Sequence, residues 1–380
     1  MSILRVDIAI QRIREAGDPV TLSDIKPMAI ASDENAWTYL NPVSAEAATL
    51  VNEFWSYTKG IDFSWRTKWT DEQCLRVEQS FDAHPQVLKM LDKASACTTL
   101  VYPIDYSLPP SQFINASMTR IQELRSYARV FNHNAICRAS KGKTEEAAAI
   151  MLRQLHLARL QKQEPLMLGF LVQSACQGIG MYSLNGLLQT SSLSEETHQR
   201  IESELANHQP LKSVVHAIKT ERAFGMDSIR EQYGPFFMKM SIKDYLEITD
   251  SELASIAKPL FEVPAITPKT RNSFISPVDA FRPLIAEMRT AANRTEANLR
   301  ALRVLNAIHA MIDRGESVDL QKLGLPSEVM VDPFNGKPLT IQPTPDGWLV
   351  YSVGSDLKDG GGNWNDQTDL GFGPPDLMPN

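Results

Sequence analysis

Apolar residues recur at three- and four-residue spacing along most of this chain, the period of a helix buried on one face. Near the start Ile3, Val6, Ile10 and Ile13 line one stripe, and Gly17-Asp18-Pro19 stops it. From Ile30 to Pro110 the pattern is mixed. Ala45 to Trp55 and Thr70 to Ala83 keep helical spacing there, while Pro85 and the Pro109-Pro110 pair read as punctuation. The middle is clearer: Ile121, Leu124, Ala128, Phe131 and Ala135 form one stripe, and Ala148, Met151, Leu155 and Ala158 form another after Lys141-Gly142-Lys143. This predicts a helical hairpin in which Gly142 is a left-handed stop and Thr144 an N-cap. Glu145 and Glu146 then fall in the first turn, where the helix dipole favours negative charge. Pro165 opens a third helix and Ser194 a fourth, and Leu211, Val214, Val215 and Ile218 mark a fifth after Pro210.

Downstream the pattern changes. Residues 263–277, VPAITPKTRNSFISP, are proline-rich and aperiodic, which predicts a linker. A long helix follows, capped by Ser276, with Leu302, Leu305, Ile308 and Ile312 as its buried stripe and Arg314-Gly315 as its end. Alternating residues around Pro345-Asp346-Gly347 predict a β-hairpin, and GSDLKDGGGNWNDQTD from Gly354 reads as an acidic, glycine-rich loop. The expected fold is mostly α, an antiparallel, repeat-like array of helical hairpins with a small C-terminal β-hairpin tail. Its expected parts are residues 1–43, an N-terminal helix and extended segment; 44–262, the helical array; 263–277, the linker; 278–315, the long helix; and 316–380, the tail. Thr99 to Tyr102 is the other strand-like stretch.

Composition narrows the function classes. With 43% hydrophobic and 22% charged residues the chain can build a core, which excludes wholesale disorder. Its 38 Lys+Arg against 45 Asp+Glu leave a net charge of −7 and no basic block, so no nucleic-acid partner is expected. The run from Pro165 to Ser194 carries no charge and outruns the roughly 20 residues of a bilayer helix. Gln173, Ser174, Gln177, Ser183 and Asn185 punctuate it, however, and no Lys/Arg cluster brackets it. It therefore reads as a buried central helix, and no membrane span is expected in this chain. Cys74, Cys97, Cys137 and Cys176 lack CxxC spacing, so a structural zinc site is not expected. Four buried thiols are the simpler reading, with two disulfides as the alternative.

Catalytic motifs are sparse. SACQG at Ser174 to Gly178 approaches a cysteine-nucleophile signature but sits in a predicted apolar helix. The GIGMYSLNG run follows no strand, so its glycines read as helix-packing positions. His216, Glu221 and Arg222 are the candidates for a groove active site, although their spacing does not put them on one helix face.

Two resemblances add expectations. The hairpin segment EEAAAIMLRQLHLA resembles the tetratricopeptide class of helical repeats, without that class's Trp-Leu-Gly-Tyr signature, and implies helical stacking. The tail, with Asp332-Pro333-Phe334-Asn335-Gly336-Lys337-Pro338, then Ser352-Val353-Gly354-Ser355-Asp356 and an acidic glycine-rich loop, is similar to the C-terminal half of the type II secretion major pseudopilin. That family's loop binds calcium, so the resemblance implies a calcium ligand at Asp356 and another at Asp366 or Asp369. Asp359 adds a carboxylate of the kind a flexible oxygen site uses. The alternative is a solvated acidic loop. The family's N-terminal methylation signal and membrane helix are missing here.

Over its whole length the chain resembles a group of uncharacterised helical proteins of bacterial envelopes, through AGDPVTL at Ala16 to Leu22, SDENA at Ser32 to Ala36, LHLARLQKQEP, KTERAFG, DPFNGKPL and YSVGSDLKDGG in that order. The resemblance implies an extracytoplasmic location, although no export signal is visible after Met1 and any anchor lies outside these residues. The expected function is that of a non-catalytic cell-envelope protein whose helical surface binds a protein or peptide partner; the alternative is an enzyme with a groove site built from dispersed residues.

Overall fold

A computed structural model describes residues 6–57, 69–161, 166–256, 258, 262, 281–362 and 368–374. The chain is mostly α with a small C-terminal sheet. α1 (Val6–Glu15) is followed by an irregular segment and the short α2 (Ala36–Leu40). α3 (Ser44–Tyr57), α4 (Asp71–Ala83) and α5 (Pro85–Ser95) lead to the long α6 (Pro110–Ser140). Thr70 caps α4 as the spacing predicts: its hydroxyl accepts from Gln73 N, and the Gln73 side chain accepts from Thr70 N. Pro85 and Pro110 do not break helices. Each stands in the first turn of one, where the N–H that proline lacks has no intrahelical partner to lose.

α7 (Thr144–Leu160) returns along α6 after a turn at Gly142, whose φ of 78° is the left-handed conformation glycine adopts without steric cost. Thr144 is not the cap. It lies inside the helix, Lys143 occupies the cap position, and no side chain bonds there. The uncharged run becomes α8 (Met167–Thr190), packed against α6, α7, α10 and α12. Its low amphipathicity follows from this central place, since neighbours cover it on several sides. Among the described residues no helix is long and apolar enough to cross a membrane. A Cβ on Gly180 would overlap Gln154 and Leu155 of α7, so glycine lets the two helices approach there.

α9 (Glu195–Ala206), capped by Ser194, and α10 (Pro210–Gln232) continue the array. α11 (Pro235–Ile256), which the periodicity leaves unmarked, pairs with α10. α12 (Phe281–Asp313) packs on α8, α9 and α10, adding a long return helix to the neighbour-on-neighbour contacts of the hairpins. Pro165, Ser276 and the 263–277 linker lie outside the described residues.

The expected hairpin is present as β1 (Thr340–Thr344) and β2 (Gly347–Ser352), paired antiparallel with Gln342 opposite Leu349. A third strand, β3 (Leu370–Phe372), adds to β2 with Tyr351 opposite Gly371. Thr99 contributes only an isolated bridge to Asn35.

The tail is not set apart from the helices. Leu339, Leu349, Val350, Tyr351 and Phe372 belong to the same core as Leu184, Leu187, Leu302 and Leu305. Asn185 Nδ2 donates to Gly373 O at 3.0 Å and Gln189 Nε2 to Trp348 O at 2.7 Å, so α8 binds the sheet backbone directly. A second core joins α1, α10, α11 and the starts of α8 and α12 through Val6, Ile13, Met167, Ile218, Tyr245 and Met288.

Candidate functional site

The tail is built around two buried carboxylates, Asp332 and Asp369. Asp332 stands at the Asp-Pro-Phe turn; its Oδ1 accepts from Phe334 N at 2.8 Å and Ser352 Oγ at 2.7 Å, and its Oδ2 from Val353 N at 2.9 Å. It ties the turn before β1 to the end of β2. Asp369 is also buried, and its two oxygens accept from Gly360 N at 3.3 Å and Gly362 N at 2.8 Å. Asp359 Oδ1 accepts from Gly361 N at 2.9 Å and from the Tyr351 hydroxyl at 2.8 Å. Those two hydrogen bonds, the Gly361 one first, hold the Asp359 carboxyl below the usual carboxylate range.

Of the four aspartates expected to hold calcium, Asp359 and Asp369 therefore meet at one glycine turn. Asp356 is exposed and accepts only a local bond from Lys358 N at 3.1 Å, and Asp366 lies outside the described residues. Among the described residues no three His, Cys, Asp or Glu side chains gather closely enough to hold a metal ion. Asp332, which the resemblance supplied as a motif residue without a role, is a backbone anchor.

The α10 candidates have separate neighbours. His216 is exposed. Glu221 is buried, and its Oε2 accepts the N–H of Met167, the first residue of α8, at 3.0 Å. Burial pushes its carboxyl up to about 7 against the smaller, opposing effect of that hydrogen bond. Arg222, on the adjacent face, gives Nη1 to Asp250 Oδ1 at 2.9 Å and Nη2 to Asp18 Oδ2 at 3.2 Å. It pins both α11 and the segment after α1 to α10.

A polar network that the sequence left unmarked lies between α9 and α12. His198 Nδ1 is 2.8 Å from Asn306 Oδ1, and its Nε2 is 3.0 Å from Asp313 Oδ2. Asn306 Nδ2 donates back to His198 O at 3.0 Å, and Leu193 N donates to Asp313 Oδ2 at 2.9 Å. Burial pushes the Asp313 carboxyl up, but the Leu193 N–H and the imidazole outweigh it and leave the group below its ordinary value. A second network joins α7 to α9: Arg159 Nε donates to Glu204 Oε1 at 2.9 Å, and the same carboxylate lies 3.3 Å from His208 Nε2. Both networks connect helices to one another.

Comparison with known proteins adds no relative: no family model, no curated protein and no solved structure matches the chain.

Proposed function

We propose that the chain is a non-catalytic cell-envelope protein that binds a protein or peptide partner over its helical surface. The observation that carries this reading is the dispersal of its ionisable candidates: Glu221 caps a helix, Arg222 joins two segments to α10, and His216 faces solvent. The array meanwhile presents large apolar side chains outward, among them Leu75 at 52% exposure on α4 and Tyr182 at 44% on α8. Aromatic and large apolar groups are the usual anchors of a protein partner. The envelope location rests on the ordered short segments that resemble envelope proteins.

Site-specific photo-crosslinking from Leu75, Tyr182 and exposed Leu357 of the tail, in cells with fractionated envelopes, tests the reading. One partner captured from helical positions, unaffected by His216→Ala or Glu221→Gln, supports it. Loss of the cellular phenotype in those two variants, with folding intact, favours the enzyme instead. The observation behind that second reading is Glu221 itself, since a buried carboxyl raised to about 7 suits acid–base work.

Calcium binding by the tail belongs to the same proposal and is supported by Asp359 and Asp369 sharing one glycine turn. Millimolar calcium should raise the melting temperature, magnesium much less, and Asp369→Asn should abolish the difference. A melting curve indifferent to calcium and to chelator rejects it.

A further inference from the structure

We propose that Cys74 and Cys137 are a disulfide-forming pair that locks α4 to the end of α6 when the protein meets a disulfide oxidant. All four cysteines are free and buried here, but these two face each other. Cys74 Sγ is 3.8 Å from the carbonyl oxygen of Cys137, and Cys137 Sγ is 3.7 Å from the carbonyl oxygen of Cys74. Each sulfur reaches the other residue's main chain, so the two residues sit opposite one another where the helices cross. A bridge needs Cα atoms about 4.4–6.8 Å apart and sulfurs about 2 Å apart. Closing the bridge requires each sulfur to turn about its Cα–Cβ bond, from the facing carbonyl to the facing sulfur.

The other thiols are placed differently. Cys97 Sγ contacts Lys93 O at 3.5 Å and Asp33 O at 3.7 Å, and Cys176 packs beside Gln154, whose Nε2 donates to its carbonyl at 2.7 Å. The surroundings of Cys74 and Cys137 hold the crossing on both sides. Trp69 N donates to Ser140 Oγ at 3.1 Å just before α4, and Lys141 pairs with Glu78 just after α6. These contacts tie α4 and the residues just before it to the end of α6.

The exchange balances without any other reagent. One cysteine, as thiolate, attacks a disulfide R–S–S–R and releases R–S⁻; the second, as thiolate, displaces the remaining R–S⁻ from the mixed disulfide. Two S–H bonds break, one protein S–S bond forms, and the oxidant leaves as two R–SH carrying the two protons. Burial pushes both thiols up, Cys137 to about 12, so the folded pair reacts slowly. Exchange proceeds from a state in which α4 has opened locally, or during folding. Once made, the bridge closes a loop spanning 63 positions and raises the melting temperature by roughly 5 °C.

The full chain, unfolded with reductant and refolded in a mixture of oxidised and reduced glutathione, provides the test, because both thiols are then accessible. Non-reducing peptide mapping should show Cys74 joined to Cys137, an intact mass lower by two hydrogens, and Cys97 and Cys176 still alkylatable in denaturant. The Cys97→Ser/Cys176→Ser variant should gain the same thermal shift on oxidation, and Cys74→Ser should gain none. Refolded protein in which Cys74 and Cys137 remain alkylatable, carry separate glutathiones or pair with Cys97 or Cys176 overturns the proposal. So does a bridged form that melts below the reduced one.

Discussion

Glu221 Oε2 accepts the backbone N–H of Met167 at 3.0 Å, so a carboxyl group on α10 stands at the beginning of α8. Burial raises its pKa to about 7, whereas an unfolded glutamate titrates near 4.5. A group raised on folding supports the fold fully below its unfolded value and loses that support as pH rises toward the folded one. Glu221→Gln keeps an acceptor for Met167 without the charge. At pH 8 the variant should be more stable than the parent by about 2 kcal/mol in urea unfolding, and at pH 5 the gap should shrink. A gap that does not change with pH would show that Glu221 titrates in the fold as it does in the unfolded chain.

Two histidines titrate in the opposite sense. Burial lowers His133 and His309 to about 4, with Asp313 partly opposing the shift at His309. Each is neutral when folded, while in the unfolded chain each takes a proton near pH 6.5. Stability therefore falls as pH drops from about 6.5 toward 4. His133 stacks on Phe54 with ring centroids 4.7 Å apart, so His133→Phe keeps the ring contact and removes the proton site. Between pH 7 and 5 the variant should lose roughly 2 kcal/mol less than the parent. Parallel pH profiles for the two proteins count against this account.

Arg222 holds carboxylates from two different segments, Asp18 and Asp250, with its side chain almost fully buried. Arg222→Ala should cost about 3–5 kcal/mol, because it leaves Asp18 without this partner in a partly buried place. Arg222→Lys should recover only part of that loss, since a single ammonium cannot reproduce a fork reaching two carboxylates. Equal stability of the lysine variant and the parent would contradict this role.

Asp332→Ala should unfasten the tail. Phe334 N and Val353 N would lose their acceptor inside the core, at about 1–3 kcal/mol for each orphaned donor. Limited proteolysis should then cut between residues 331 and 374 before it cuts the helices. Simultaneous cutting throughout would mean that the tail and the array unfold as one unit.

The helical part of the fold was legible because its stripes are local. α3, α4, α6, α7 and α10 lie where the spacing of apolar residues puts them, while α8 occupies the uncharged run and α9 begins after its cap Ser194. Proline was the ambiguous signal: Pro85 and Pro110 carry the same chemistry as Pro210, and only the periodicity of the residues after each proline tells a helix start from a stop. β3 was hidden for a different reason. Leu370-Gly371-Phe372 has no alternation long enough to see, and pairing with β2 alone makes it a strand. The polar networks were equally invisible, since His198 and Asn306 are 108 positions apart and nothing near either announces the other. In the tail, the motif marked Asp332 and Asp369 as unusual acids but could not say that both face backbone N–H groups.

The bonds from Asn185 to Gly373 and from Gln189 to Trp348 also order events in time. On the ribosome α8 emerges long before the strands that complete it, and its inward-facing amides meet water or surrogate partners until those strands arrive. The earlier helices can collapse and pair among themselves meanwhile, yet the middle of the array stays unfinished until Trp348 and Gly373 have been made. A premature stop between the end of α12 and Trp348 would thus leave an assembled-looking helical protein with an open seam along its central helix, the kind of surface that chaperones and proteases recognise.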